Sequence, residues 1–320
     1  MDFREQFEKN KKKTRLVIST FVAIMVFVGL LADVSINSPV PQSLSLSLLS
    51  YLKFQSIPYI TIGITIFVLA SIWFISLKGH KLMLSGSKYQ QLSYEKQDEL
   101  DKEEKQLLNI VEEISISANL PYKPQVYIME TDEPNAFAAG WNEKNTIVGV
   151  TRGLLNKLNR TETQAVMAHE IGHIVHGDSK LTLYVGVLAN SILTITNIFS
   201  HLFFFFGGGG NNSAAGKARL ILLVLNLVLP IITQILYLYL SRSREYMADA
   251  TAVELTGDNQ AMISALEKIS SHYPKDKKSK KGKDKPTGEY YRAASYIYEK
   301  GDSLFSTHPS IENRIKKLNN

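Results

Sequence analysis

Residues 168–178 read AHEIGHIVHGD, and this stretch decides the fold because it contains the pattern H-E-x-x-H. Positions four apart lie on one face of an α-helix, so the imidazoles of His169 and His173 can converge on one metal ion. Glu170 lies one position along, where its carboxylate can take and return a proton near the metal. Two surface histidines on an ordinary helix are the simpler explanation, and the apolar run around them argues against it.

The composition narrows the choice of metal and ligands. The chain has 320 residues and no cysteine, which excludes disulfides, iron–sulfur clusters and cysteine-ligated zinc. Any metal must therefore be held by histidine, aspartate or glutamate. Neutral imidazoles bind Zn²⁺ well, and the pattern predicts one Zn²⁺ per chain as the cofactor. The same composition excludes a mainly disordered, collagen-like or disulfide-rich protein.

A catalytic zinc needs a third protein ligand and one open position. Metzincins have a third histidine six residues after the second, but that position is Ser179 in this chain. His176 is the nearest histidine, yet it lies only three residues after His173 and cannot easily close a tetrahedron with two ligands of the same helix.

Glu245, in the segment SRSREYMADA (residues 241–250), is the better candidate for the third ligand. Asp249 follows one helical turn later, where it could accept the second ring N–H of a ligand histidine. The alternative for Glu245 is a helix-surface carboxylate paired with Arg242 or Arg244.

Four apolar stretches are long enough to cross the roughly 30 Å hydrocarbon core of a bilayer as helices. They cover residues 16–34, 57–77, 181–206 and 220–240. The later pair carries several polar side chains, so a buried soluble hairpin is the alternative there. Six basic residues precede the first span and only Lys53 lies between the first two, which predicts a cytoplasmic N-terminus.

These spans divide the chain into four segments. Residues 1–77 form a membrane anchor, 78–180 the first part of a cytoplasmic catalytic domain, 181–240 a hydrophobic hairpin and 241–320 the second part of that domain. The hairpin would bring the helix of His173 and the helix of Glu245 to the same membrane face. The chain is therefore predicted to be a multi-pass protein of the cell membrane with its active site on the cytoplasmic side.

The predicted fold is mainly α-helical, with a small antiparallel β-sheet. An amphipathic helix is predicted over residues 94–120, and strands at QVYIME (125–130) and NTIVGVT (145–151). Thr161 and Gln164 form a capping-box pattern that predicts the start of the H-E-x-x-H helix. The lysine-rich run at 275–286 is most simply a solvated loop, with attraction to anionic lipids as the alternative; no nucleic-acid-binding module is recognisable.

Several of these segments together resemble the HtpX family of membrane zinc metalloproteases, relatives of the CAAX prenyl endoproteases. The resemblance rests on the paired N-terminal spans, the hydrophobic hairpin and five motifs in order: PNAFAAG (134–140), VGVTRGLLNKL (148–158), AHEIGHIVHGD (168–178), SRSREYMADA (241–250) and FSTHPSIENRI (305–315). It implies a gluzincin-like HExxH metallopeptidase domain. In that domain His169, His173 and Glu245 would bind zinc and Glu170 would serve as the catalytic base and acid.

The resemblance also assigns residues outside the metal site. An edge strand that receives an extended peptide would be formed by Asn135, Ala136, Phe137, Ala138 and Gly140. His308 and Arg314 would assist at the scissile carbonyl, with packing and a helix cap behind the site as the alternative for both. The lysine-rich run departs from the pattern expected of the family.

The function implied by the resemblance is endoproteolysis of damaged or misassembled membrane proteins in a bacterial inner membrane. Polypeptide substrates, the lipid bilayer and other membrane quality-control proteases would be its partners, and nucleic acid would not. Two alternatives are a prenyl-protein endopeptidase, for which the chain is short, and a non-catalytic membrane adaptor whose zinc is structural.

Overall fold

A computed structural model of the chain describes the backbone of residues 3–86, 88–140, 143–178, 213–272 and 309–319, and of residues 184, 191, 194 and 195. The chain divides into two compact units. The sheet-containing unit comprises Met1–Lys12, Leu77–Leu183 and Tyr237–Asn320, and the helical unit comprises Lys13–Ser76 and Tyr184–Leu236. Most of the predicted span at 181–206, the lysine-rich run and His308 lie outside the described residues.

The helical unit contains most of the first helix, α1 (Phe3–Ile36), and of the third, α3 (Tyr59–Leu84), joined through the short helix α2 (Leu44–Leu52). Within the described residues, two segments are long and apolar enough to cross a membrane: Glu8–Ile36 and Tyr59–Gly79. They overlap the first two predicted spans. The fourth predicted span lies within one long helix, α7 (Ala214–Thr256).

The sheet in the other unit has four strands in the order β1 (Tyr89–Leu92), β2 (Gln125–Met129), β4 (Ile147–Thr151) and β3 (Ala136–Ala139). The prediction of a small sheet is confirmed, but the two predicted strands, β2 and β4, pair in parallel. Residues 130–146 are long enough to form a crossover, which parallel pairing requires, and β3 within them returns antiparallel to β4. The sheet is therefore mixed rather than antiparallel.

Helices cover this sheet and supply most of its core. A 3₁₀ helix (Tyr94–Glu99) precedes α4 (Lys102–Ser117), where the sequence predicts one continuous helix. The short α5 (Arg152–Leu155) and then α6 (Arg160–His176) follow β4, and α8 (Asn259–Ser271) and α9 (Ile311–Leu318) follow α7. Buried residues of α4, β2, β4, α6 and α8 share one apolar cluster, so α6 is fixed in the centre of the unit.

Candidate metal centre

Local sequence fixes both ends of α6. Asn159 caps its start: its side chain accepts from the Glu162 N–H at 2.9 Å, and the Glu162 carboxylate accepts from the Asn159 N–H at 2.8 Å. The helix thus begins at Arg160, and the predicted box at Thr161 and Gln164 is wrong by two residues. Gly177 ends the helix in the left-handed region (φ 69°), which glycine adopts without steric penalty.

A second helix, α7, approaches α6 closely beside the two histidines. A Cβ placed on Gly172 of α6 would lie 3.2 Å from Cγ2 of Thr251 and 3.6 Å from Cα of Ala248 on α7. Glu245 and Asp249 are four residues apart on α7 and therefore share one helical face. Both are buried, as is His169. The close approach brings that face of α7 to the H-E-x-x-H motif.

His169, His173 and Glu245 form one group whose ligand atoms all lie within 4.8 Å of one another. The two Nε2 atoms are 3.2 Å apart. The Glu245 carboxylate lies 3.6 Å from each: Oε2 from His169 and Oε1 from His173. Ligands bound tetrahedrally at about 2.0–2.1 Å from zinc are about 3.3–3.4 Å apart, so two imidazoles and a carboxylate at these separations fit Zn²⁺ in chemistry and in spacing.

The outer nitrogen of His173 faces a carboxylate that the sequence analysis did not single out. Asp178, which is fully buried, places both oxygens 3.2 Å from Nδ1 of His173. The left-handed turn at Gly177 folds the chain back to make this contact. Arg244 of α7 donates to the backbone carbonyl of Asp178 at 3.3 Å. A glycine followed by an aspartate directly after the helix was the available signal for this residue.

The outer nitrogen of His169 faces Asp249, with Nδ1 3.0 Å from Oδ1. Arg314 of α9 holds that carboxylate from behind, through Nη2 to Oδ1 at 2.6 Å and Nε to Oδ2 at 2.9 Å. Its Nη1 also lies 3.8 Å from Oε2 of Glu245. The guanidinium is only 1% exposed, so this pair is screened little by solvent.

The charges of the group favour a cation between the histidines. Burial alone lowers the pKa of His169, but hydrogen bonds with Asp249 and Glu245 outweigh it and raise the pKa to about 9. Burial also lowers the pKa of His173. The negative charge of Asp178 outweighs this effect, so the pKa of His173 is raised above its usual value. The pKa of Asp249 is lowered although burial opposes it, because Arg314 and His169 stabilise the carboxylate. Protons or a metal ion would satisfy these carboxylates.

The other residues predicted for the site fall into distinct places. Glu170 is buried on α6 beside His169. His176 is not in the metal group; its Nε2 lies 3.2 Å from the hydroxyl of Thr251. Arg314 contacts the carboxylates as described, and assistance at the scissile carbonyl stays a prediction for it.

Three of the predicted peptide-binding residues, Ala136, Phe137 and Ala138, lie on β3, and Asn135 and Gly140 flank it. The strand stands at one end of the sheet and packs against α6. Thr151 fixes the start of this strand, because its hydroxyl accepts from the N–H of Asn135 at 2.8 Å and donates to its carbonyl at 3.0 Å. The ring of Phe137 lies over Gly149 of β4, where a Cβ would be 2.3 Å from Cε1. The strand ends at Gly140, whose φ is +109°. Ala136 and Ala138 are buried between these two fixed ends.

Sequence reasoning also missed a contact at the end of α6. Asn10 of α1 donates from Nδ2 to the carbonyl of His176 at 2.9 Å, and both residues are buried. Asn10 stands in a lysine-rich stretch, NKKK, that sequence analysis uses only for membrane orientation. No local pattern links a residue at position 10 with one at position 176.

An H-E-x-x-H helix joined by a glutamate from a second helix defines a metallopeptidase of the zinc type. Residues 101–320 match the sequence profile of Peptidase family M48. This match covers more than half of the chain, which therefore belongs to that family.

Full-length relatives agree with this assignment. A Protease HtpX homolog from Helicobacter pylori (strain Shi470) is 40% identical over 318 residues, spanning 99% of this chain and 98% of the relative. One from Dictyoglomus turgidum is 31% identical over 316 residues, spanning 99% and 94%. The crystal structure of S. mikatae Ste24p shares the fold, with a TM-score of 0.51, 17% identity and coverage of 99% of this chain and 67% of that one.

Family and relatives together make the chain a membrane zinc metalloprotease whose substrates are peptides. Members of the family are in general zinc-dependent, in agreement with the donor set of α6 and α7. The enzyme prediction is confirmed, and these findings do not support the alternative of a non-catalytic adaptor.

Proposed function

We propose that the chain binds one zinc ion through His169, His173 and Glu245 and hydrolyses peptide bonds at that ion. The spacing of these three donors carries the proposal, because separations of 3.2 and 3.6 Å suit tetrahedral zinc. Asp249 and Asp178 hold the histidines by their outer nitrogens, as carboxylates do for ligand histidines in zinc sites. A structural zinc would need a fourth protein ligand, and the metal group found among the described residues has three.

In this proposal Glu170 moves the proton. Zinc, when bound, supplies Lewis-acid chemistry that activates water and polarises a carbonyl. The Glu170 carboxylate takes a proton from the attacking water and passes it to the nitrogen of the departing amine. Burial beside His169 keeps this carboxylate at the group and away from bulk solvent. His308 and Arg314 would assist at the carbonyl, as the resemblance implies.

Two substitutions separate proton transfer from metal binding. Glu170→Gln should retain zinc and lose casein cleavage by about 10³-fold or more, since the base is gone and the ligands remain. Glu245→Gln should lose zinc itself, measured by metal analysis of protein purified in detergent. Glu254→Gln, an exposed carboxylate on the same helix, is the matched control and should retain both.

Chelator treatment completes this test. Casein cleavage should stop when zinc is stripped and return when Zn²⁺ is added back. If Glu245→Gln keeps full zinc affinity, Glu245 is not a ligand; if stripped protein remains fully active, the whole proposal fails.

An extended peptide would bind by adding a strand to β3. Among the strands of the described residues β3 is last in the order, paired with β4, and it packs against the helix that carries His169. Strand addition uses backbone groups and so accepts many sequences, which suits a degradative enzyme. We propose damaged or misassembled membrane proteins as the substrates, with other membrane quality-control proteases acting on the same pool.

The membrane topology is proposed as multi-pass in an inner membrane, with residues 78–180 and 241–320 on the cytoplasmic side and 181–240 as a hairpin. The six basic residues that precede the apolar span at 16–34, in the N-terminal part of α1, support this orientation. Because the chain has no cysteine, a single introduced cysteine is its one site of maleimide labelling, which is read on the purified protein. Intact cells should label Lys53→Cys with an impermeant maleimide and Lys96→Cys only after lysis. Labelling of Lys96→Cys in intact cells would show that the orientation is the opposite of the one proposed.

A further inference from the structure

The short helix α2 has the opposite polarity from a helix that faces water. Its sequence is LSLSLLSYL, which places leucines on one face of the helix and serines on the other. Leu46, Leu49 and Leu52 share one face and are 52%, 42% and 61% exposed, respectively. On the opposite face, Ser47, Ser50 and Tyr51 are buried. An aqueous surface helix buries the apolar face and exposes the polar one.

Specific hydrogen bonds fix this orientation. The Ser47 hydroxyl donates to the carbonyl of Val40 at 2.8 Å, accepts from its N–H at 3.1 Å, and lies 2.8 Å from the hydroxyl of Ser38. The Tyr51 hydroxyl donates to the carbonyl of Asn37. A half-turn rotation of α2 would bury the leucines but leave these polar groups without their partners. The hydrogen bonds of the polar face therefore keep the leucine face exposed.

The apolar surface continues past the end of α2. Phe54 is 84% exposed and adopts φ +54°, a left-handed conformation that a bulky residue rarely takes. Ile57 and Tyr59 are also exposed. Lys53 is the single charged residue between positions 34 and 58. Water is an unfavourable neighbour for such a surface, and an exposed apolar patch of this kind marks a contact with a membrane or with another protein.

The position of α2 in the helical unit identifies what covers it. The Asp33 carboxylate, near the end of α1, accepts from the backbone N–H of Ile60 at 2.9 Å and of Thr61 at 2.8 Å. These bonds tie the end of one candidate span to the start of the next. The chain that contains α2 connects the two spans at this end, where apolar helices of this length leave the hydrocarbon core. The exposed face of α3 beyond it is also apolar, with Ile62, Ile66 and Trp73 outward.

We propose that α2, with Phe54 and Ile57, lies in the interfacial layer of the bilayer with its leucine face toward the acyl chains. Short helices with one apolar face bind at that depth, and the lysine beside the face can extend its ammonium to the headgroups. The partner is the lipid bilayer itself. The surface would hold the α1 and α3 hairpin at a fixed depth, independently of zinc and of the peptidase site. Only the leaflet, the one away from the cytoplasm, depends on the proposed topology.

Site-directed spin labelling of the cysteine-free chain tests this assignment. Nitroxides would be placed one at a time at Leu49, Leu52 and Phe54 in the full-length protein, reconstituted in phosphatidylcholine–phosphatidylglycerol vesicles. Accessibility to oxygen and to a water-soluble nickel chelate reports the depth of each label. Trp73→Cys, on the exposed face of α3, is the hydrocarbon control, and Glu95→Cys, exposed in the sheet-containing unit, is the aqueous control.

The three labels should show an oxygen-to-nickel ratio several-fold above that at Glu95→Cys, between the two controls. A ratio equal to that at Glu95→Cys would overturn the proposal, since the face would then be in water. Immobilised labels shielded from both reagents would overturn it equally, because a protein surface would be the occupant. Casein cleavage equal to that of the unsubstituted protein identifies the variants that are folded, and Leu46→Cys replaces any that is not.

Discussion

The two candidate ligand histidines are held in contrasting ways. His173 is held by Asp178, which follows five residues later and reaches it through the turn at Gly177. His169 is held by Asp249 on another helix, and that carboxylate is itself held by Arg314 from a third. In the first arrangement the carboxylate comes from the turn that directly follows α6, and Arg244 of α7 contacts its backbone carbonyl. The second exists only when α6, α7 and α9 are all in place.

This contrast teaches where the site depends on tertiary structure. The His169 arrangement buries a guanidinium and two carboxylates together, so each needs the others to offset the loss of hydration. In the His173 arrangement the histidine is 15% exposed, and the carboxylate that holds it, that of Asp178, is close in sequence. Substitutions in the His169 arrangement should lower both the stability of the fold and the affinity for zinc. Substitutions in the His173 arrangement should lower mainly the affinity for zinc.

The largest effect is expected from Asp249→Asn. It removes the negative charge that pairs with the buried Arg314, and breaking a buried pair costs about 3–5 kcal/mol. Zinc affinity should also fall about 10- to 100-fold, because the outer nitrogen of His169 loses its carboxylate. Thermal unfolding and chelator competition in detergent would measure the two losses, with exposed Asp98→Asn as control. Unchanged unfolding would mean that Asp249 is not paired as the structure shows.

A smaller effect is expected from Arg314→Lys. The charge stays, but a lysine cannot make the two parallel bonds to Asp249, so zinc affinity should fall about tenfold. The same substitution at Arg160, a half-exposed residue on α6, is the control. If kcat falls while zinc affinity is unchanged, Arg314 acts at the scissile carbonyl, which is the role that the family resemblance implies, and not through Asp249.

Asp178→Asn should weaken zinc binding about tenfold with little change in unfolding of the metal-free protein. The asparagine keeps the shape of the turn after Gly177, and the backbone carbonyl that accepts from Arg244 is retained. Comparison with Asp249→Asn in the same assays is the measurement. Equal losses of stability in the two variants would show that the contact of His173 with Asp178 depends on tertiary structure as much as the contact of His169 with Asp249 does.

The smallest effect is expected far from the metal, at Glu162. Burial alone raises its pKa, but hydrogen bonds from Lys268 and Ser264 outweigh it and lower the pKa. Because the pKa of Glu162 is lower in the folded state, its carboxylate stabilises the fold at pH values above the unfolded-state pKa near 4.5. This stabilisation is lost as the pH falls through the folded-state pKa. Glu162→Gln should therefore cost about 1 kcal/mol at pH 7, and the difference should shrink below about pH 4.5.

Denaturant unfolding at several pH values would measure this dependence. Glu113→Gln, which removes a half-exposed partner of Arg160, is the control and should have almost no effect at any pH. A deficit that persists unchanged at low pH would show that charge at Glu162 is unimportant.

Sequence reasoning succeeded where a regular period determines the geometry. The four-residue spacings of His169 with His173 and of Glu245 with Asp249 each predict a shared helical face, and the structure has both pairs on helices. Apolar length predicted α1 and α3. The pairing of α6 with α7 came from the membrane-hairpin argument and the family motifs, because two helices distant in sequence carry no local signal for one another.

The misses have equally physical causes. Asp178 was overlooked because its position depends on one left-handed residue. The sheet was predicted as antiparallel from β2 and β4 alone. The strand between them, β3, was implied by the family resemblance, and its short alanine-rich sequence has no strong β-propensity that would place it in the sheet order. The N-cap was placed at Thr161 although Asn159 has the same pattern, with Glu162 three residues later. The partner of Arg314 could not be read from a motif near the end of the chain.

Gly172 allows α6 and α7 to approach closely beside the candidate metal group. Its hydrogen lies where a methyl group would meet Thr251 at 3.2 Å, so the separation of the two helices is near its minimum. A methyl group at this position would require Thr251 to move by a few tenths of an ångström, and such a shift in α7 would displace Glu245 relative to the two histidines.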